Sequence, residues 1–154
     1  MSLATSQIAK AIILGIKDQE LGEDTVVSLH RIFQDTFLEA LDLIDREKVI
    51  HFVHQNREFI QVTGSDGVHH IFLDLMDLRA NDEGEGNNAG AIKLNSRVAI
   101  SWCSCETFLT RFLMSTEEQM CEHILAVLLG NQLGRLLTKT YNNHEICLNF
   151  LENS

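Results

Sequence analysis

Proline is absent from the chain, and long apolar runs and clusters of positive charge are missing with it. Without proline the sequence loses its usual mark of a linker between domains. Its 154 residues, 45% of them apolar, fit one compact unit with a core of its own. The most apolar early stretch, residues 11–16, is short and follows Lys10, and nowhere do eighteen apolar residues come in succession. Neither a secretory leader nor a membrane span is therefore expected. The 12 basic residues face 22 acidic ones, for a formal charge of -10, and no three basic residues are neighbours. That excludes a basic stripe able to hold a phosphate backbone unaided, so any nucleic acid is expected to be met mainly through a partner. The expected protein is soluble and intracellular. A reducing compartment disfavours disulfides, and its cysteines are read first as metal ligands.

Three of the four cysteines and one of the seven histidines fall in a single pattern: Cys103-x-Cys105, fifteen residues, then Cys121-x-His123. Together they supply the four nitrogen and sulfur ligands that tetrahedral zinc takes. Residues 97–105 read as a strand in which Cys103 and Cys105 share one parity, so both thiols point the same way while Ser104 faces away. Cys121 and His123 would stand about 200° apart on a regular helix. Cys121 must then lie just before a helix whose first turn holds His123. That helix is expected to run on through Leu128, Leu129 and Leu133 to about residue 137, with Ala126 leaving space for close packing beside the site. A closed shell leaves no position for water or substrate, which makes one zinc ion structural and not catalytic. The alternative is three buried cysteines and a satisfied histidine without metal. An enzyme with a cysteine nucleophile is disfavoured, because no acid/base pair accompanies the thiols.

Around this site the pattern predicts an α+β fold: N-terminal helices, a small antiparallel β-meander and the zinc-clamped C-terminal helix. Residues 1–48 form the helical segment, 49–137 the zinc module and 138–154 a terminal element. A first helix over 4–17 places Ile8, Ile12, Ile13 and Ile16 at helical spacing. A second, over 23–46, is apolar over more than one stripe, which means burial on both sides. Either the first helix and the sheet cover both sides, or one side meets another protein through residues such as Phe33, Phe37 and Leu41. Strands are expected at 49–53, 59–63 and 68–75, with Gly64-Ser65-Asp66-Gly67 as a turn. His51, His54, His69 and His70 are expected on a solvated sheet face. The acidic, glycine-rich stretch at 79–95 reads as a loop and lacks the calcium-loop spacing. Cys147 is left over, as a small buried apolar residue.

Cys103-x-Cys105 with Cys121-x-His123 and the following Ile-Leu-Ala resembles the SWIM-type zinc finger, including the alanine three residues after the histidine. Residues 40–46 and the strand 59–64 are similar to the small SWIM-domain proteins of the Shu complex, and the resemblance spans roughly 26–135. It implies that Cys103, Cys105, Cys121 and His123 hold zinc and that Ala126 supports partner binding. It also implies a nuclear, non-enzymatic subunit in homologous recombination repair. Such a subunit pairs with a paralogue of the RecA-type recombinase and helps recombinase filaments assemble or persist on single-stranded DNA, without a small-molecule substrate or a membrane. Direct binding of single-stranded nucleic acid by the zinc module is the other function considered, and it would need Arg97, Arg111 and Arg135 gathered on one face. Glu-Thr-Phe after Cys105 and the length of the acidic loop depart from the family pattern without touching a ligand.

Overall fold

Residues 3–54, 57–72, 102–114 and 120–140 are described by a computed structural model. Within them the elements run α1 (Leu3–Leu14), α2 (Glu23–Phe33), α3 (Asp35–Asp45), β1 (Val49–His54), β2 (Arg57–Thr63), β3 (Val68–Phe72), β4 (Trp102–Cys103), α4 (Glu106–Met114), α5 (Glu122–Gln132) and β5 (Leu137–Thr140). The acidic loop at 79–95, the first part of the strand expected over 97–105, and Cys147 lie outside the described residues.

The second helix expected from sequence is two helices. Gln34 separates α2 from α3 with φ 51° and ψ -125°, and its N–H still donates to His30 O at 2.8 Å. The break explains the excess of apolar positions. A straight helix would carry them around its circumference, whereas the bend at Gln34 turns Leu29 and Phe33 of α2 and Phe37, Ala40 and Ile44 of α3 into one core. The stripe on α1 is also rotated from expectation. Ser6, Ala9 and Ile13 face inward at helical spacing, Ile12 and Ile16 are partly buried, and Ile8 is 56% exposed.

The sheet contains the expected meander and extends it at both edges, in the order β4-β3-β2-β1-β5. β1 with β2, β2 with β3, and β3 with β4 are antiparallel, while β5 runs parallel to β1 with Ile50 opposite Leu137. The sheet is therefore mixed. Registers Val49↔Val62, Val62↔His69 and Ile71↔Cys103 put these residues on one face, and all are buried. Phe52, Phe59, His70, Phe72 and Trp102 take the opposite parity.

Against the inner face lies α5, in which every residue from His123 to Gly130 is buried. A helix buried all round must be covered on more than one side. The sheet covers one side, and α1 and α3 pack on the other. This helix ends at Gln132, earlier than the sequence suggests, in a left-handed turn at Gly134 (φ 63°). There the Arg135 N–H donates to Gly130 O at 2.8 Å and the Gly134 N–H to Asn131 O at 3.2 Å, the two bonds of a Schellman cap. Glycine suits that conformation, which costs other residues about 1 kcal/mol or more. The cap turns the chain out of the helix and into β5.

Candidate metal centre

Within the described residues β4 comprises Trp102 and Cys103, and it delivers Cys103 to the inner face opposite Ile71. Ser104 then leaves the cluster, as strand parity requires, and ties the chain to β3. Its N–H donates to His70 O at 3.2 Å, and its hydroxyl oxygen accepts the His70 N–H at 3.0 Å. Cys105 follows at the entrance to α4, where the Leu109 N–H donates to its carbonyl at 3.0 Å and the Phe108 N–H reaches its Sγ at 3.3 Å. A side chain accepting the N–H three residues into a helix is doing the work of an N-cap. Cys121 is the N-cap of α5, in extended conformation (φ -84°, ψ 168°), and His123 is the second residue of that helix. The two-residue step from Cys121 to His123 thus spans a cap and a first turn, which lets both side chains reach one point.

The candidate ligand atoms of Cys103, Cys105, Cys121 and His123 all lie within 4.8 Å of one another, and the four residues are at most 1% exposed. The three cysteines are free thiols. With Zn–S near 2.3 Å, two sulfurs of a tetrahedral shell stand about 3.8 Å apart, so this spacing closes on an ion with little adjustment. The donor set fits as well: three soft sulfurs and one imidazole, with His123 Nδ1 buried, outside any hydrogen bond among the described residues and 3.4 Å from Glu122 Oε1. The buried cluster thus fits one structural zinc ion.

Three buried thiols cannot all ionise unaided. The hydrogen bond it makes to Cys105 pushes the Cys103 thiol up to about 12, and hydrogen bonds to Cys103 and Cys105, with burial, raise Cys121 as well. Accepting from Cys103 and Cys121, Cys105 is correspondingly lowered. Burial alone would lower His123, yet contact with Cys105 and the nearby carboxylates leaves it raised. Without a cation, deprotonation is thus favoured at Cys105 over Cys103 and Cys121. A divalent ion changes that state by replacing the thiol protons, so binding releases protons. Three thiolates around Zn²⁺ leave a net charge of -1, and the positive ends of α4 and α5, both of which start at this cluster, favour it.

The histidines depart from expectation. His51 and His69, assigned to a solvated face, are 4% and 8% exposed. His69 shares strand parity with Ile71, and that parity was the available signal for burial. Asp66, His69 and His123 also have candidate ligand atoms within 4.8 Å of one another. Ala126 is fully buried in α5, three residues beyond His123 and so on its side of the helix. Phe33 and Phe37, expected toward a partner, are 6% and 0% exposed and serve the chain's own core, with Leu41 partly buried against it. The outward apolar residues of α2 and α3 are Val27 and Leu38, 49% and 52% exposed. Arg135 pairs with Asp45 Oδ1 at 2.5 Å. Arg97 and the Arg111 side chain lie outside the described residues.

Comparison with known proteins finds relatives named for a zinc finger. Over 140 residues, covering 90% of this chain and 74% of the relative, the chain is 25% identical to "Zinc finger SWIM domain-containing protein 7 homolog" of Dictyostelium discoideum. The chain is similar to SWIM-type zinc finger proteins. A second relative, "Zinc finger SWIM domain-containing protein 7" of Mus musculus, is 23% identical over 139 residues, covering 86% of this chain and 76% of the relative. No family model and no solved structure matches the chain. The two likenesses span both the helical segment and the cluster.

Proposed function

We propose that the chain is a non-enzymatic interaction subunit of homologous recombination, working in a Shu-type complex in the nucleus. In this reading it binds a paralogue of the RecA-type recombinase and promotes assembly or persistence of recombinase filaments on single-stranded DNA. The observation that carries it is the composition of the cluster. Four buried protein ligands fill a zinc shell, which suits an ion that holds a surface in shape and leaves no position for a reacting group. The likeness to the two SWIM-domain relatives supports the same role. A surface held in this way has candidate contact residues in Val27 and Leu38.

Affinity capture of the full chain from cells, read by mass spectrometry, tests the proposal. The wild type should recover a recombinase paralogue, and Ala126→Thr should recover much less. Capture without any recombinase paralogue would overturn the role.

One observation favours a second reading, direct binding of single-stranded nucleic acid. On the outer face of the sheet Phe52 stacks on Phe59 with ring centroids 5.0 Å apart, and Phe72 meets Trp102 at 5.7 Å. Bases stack on such rings. The charge of -10 opposes it. Salt-dependent binding of an oligonucleotide by the purified chain would favour this reading, and no binding at low salt would dismiss it.

A further inference from the structure

The turn between β2 and β3, a segment that turn chemistry alone accounts for in the sequence, comes up against His123. The Gly64 N–H donates to Gly67 O at 2.8 Å, closing the turn, and the positive φ that the turn requires falls on Gly67 (φ 138°). Gly64 is needed for a different reason. A Cβ there would stand 2.6 Å from His123 Nε2 and 2.9 Å from Asp66 Oδ1, closer than side-chain atoms tolerate. Two residues on, Asp66 turns back so that its Oδ1 lies 2.8 Å from His69 Nε2. The buried His69 ring rests against that of His123, with centroids 4.1 Å apart and planes at 42°.

We propose that Gly64, Asp66 and His69 form a brace that orients the His123 imidazole toward the metal: Gly64 makes room for the ring, His69 fixes its rotation, and Asp66 fixes His69. They are positioning residues and not ligands. The inference rests on the zinc reading of the cluster. Its physical basis is that an imidazole ring has a broad torsion about its last side-chain bond, so neighbours must select the orientation that faces the ion. The alternative of a second ion held by Asp66, His69 and His123 fits less well. The 2.8 Å contact already joins Asp66 to His69, using the atoms that an ion would need.

Zinc affinity of the full-length chain, measured by competition with a chromogenic chelator, and the visible spectrum of its Co²⁺ form test the brace. Outer contacts to ligating histidines are typically worth a factor of about 10–100 in metal affinity. Asp66→Ala, His69→Ala and Gly64→Ala should each lose affinity in that range, with the Co²⁺ bands shifted. Asp66→Asn keeps an acceptor oxygen and should recover most of the loss seen in Asp66→Ala. His69→Phe keeps a ring against His123 and should recover part of the loss seen in His69→Ala. Asp66 is largely exposed, so its variants test the brace without threatening the core. Unchanged affinity and spectrum in both Asp66→Ala and His69→Ala would overturn it. So would a second zinc per wild-type chain that disappears in Asp66→Ala, since these residues would then be ligands. A wild type that binds no zinc at all would instead sink the zinc reading, and the brace with it.

Discussion

The two ends of α5 are held by different chemistry. At its start, four buried polar or sulfur-bearing side chains converge from the end of a strand, two helix caps and a first helical turn. At its far end the partners are apolar. Gly130 lies under Leu136 and near Ile44 of α3, where an added Cβ would come within 2.9 Å of Leu136 Cδ2. The apolar end can form from burial alone, since each fully buried Leu, Ile or Phe contributes about 1.5–3 kcal/mol. The metal end gains less from burial alone, because the thiolates that hold an ion are costly to bury unless a cation compensates them. The ion thus supplies at one end what hydrophobic contact supplies at the other.

Removing the ion should give the largest effect, because binding to a structural site of this type is worth on the order of 10 kcal/mol near neutral pH. Cys121→Ser or His123→Ala should lose bound zinc and solubility together. Hydrogen exchange should then show faster opening at the start of α5 than at its end. Near-stoichiometric zinc in both variants would erase the distinction between the two ends. Acidification should act in the same direction. Bound thiolates must regain protons as pH falls, and Cys103 and Cys121 hold theirs tightly without metal. Affinity should therefore drop by more than about tenfold per pH unit wherever more than one proton is taken up, which metal-competition titrations can read.

The apolar end should fail differently. Phe37→Ala removes a fully buried ring from α3 and should cost about 3–5 kcal/mol in urea unfolding of the zinc-loaded chain. Its zinc content should stay near that of the wild type under native conditions. Loss of zinc in step with stability would show that the two ends are a single cooperative unit.

The smallest effect concerns how α3 ends. Glu47 takes a left-handed φ of 55° in a cap where the Lys48 N–H donates to Leu43 O at 2.9 Å and the Glu47 N–H to Ile44 O at 3.0 Å. This is the same cap that glycine makes after α5 at Gly134. Glu47→Gly should raise stability by up to about 1 kcal/mol without altering zinc binding, measured by thermal unfolding. A loss of stability would mean that the Glu47 side chain makes up for its backbone.

These contrasts also explain which features could be read from the chain. The clustering of Cys103, Cys105, Cys121 and His123 was legible because cysteine is scarce here and because the spacing fixes a strand pair and a helix cap. The hairpins were legible from turn residues and alternation. The bend at Gln34 was not, since neither glycine nor proline marks it and the residues on both sides keep helical spacing. β5 was hidden for a related reason: all four of its residues are exposed, so no alternation of burial distinguishes it from a continuing helix. His69 was readable in principle, by its parity with Ile71, but the alternation of the histidines with apolar residues suggested a wet face. The need for glycine at residue 64 left no trace in sequence, because it depends on where a ring some sixty positions later comes to rest.

X-ray absorption at the zinc edge, on the purified full-length chain, tests the central claim most directly. One zinc per chain is expected, with three sulfurs near 2.3 Å and one nitrogen at about 2.0–2.1 Å, and loss of the nitrogen contribution in His123→Ala. A shell dominated by oxygen, or a protein that folds fully without metal, would contradict it.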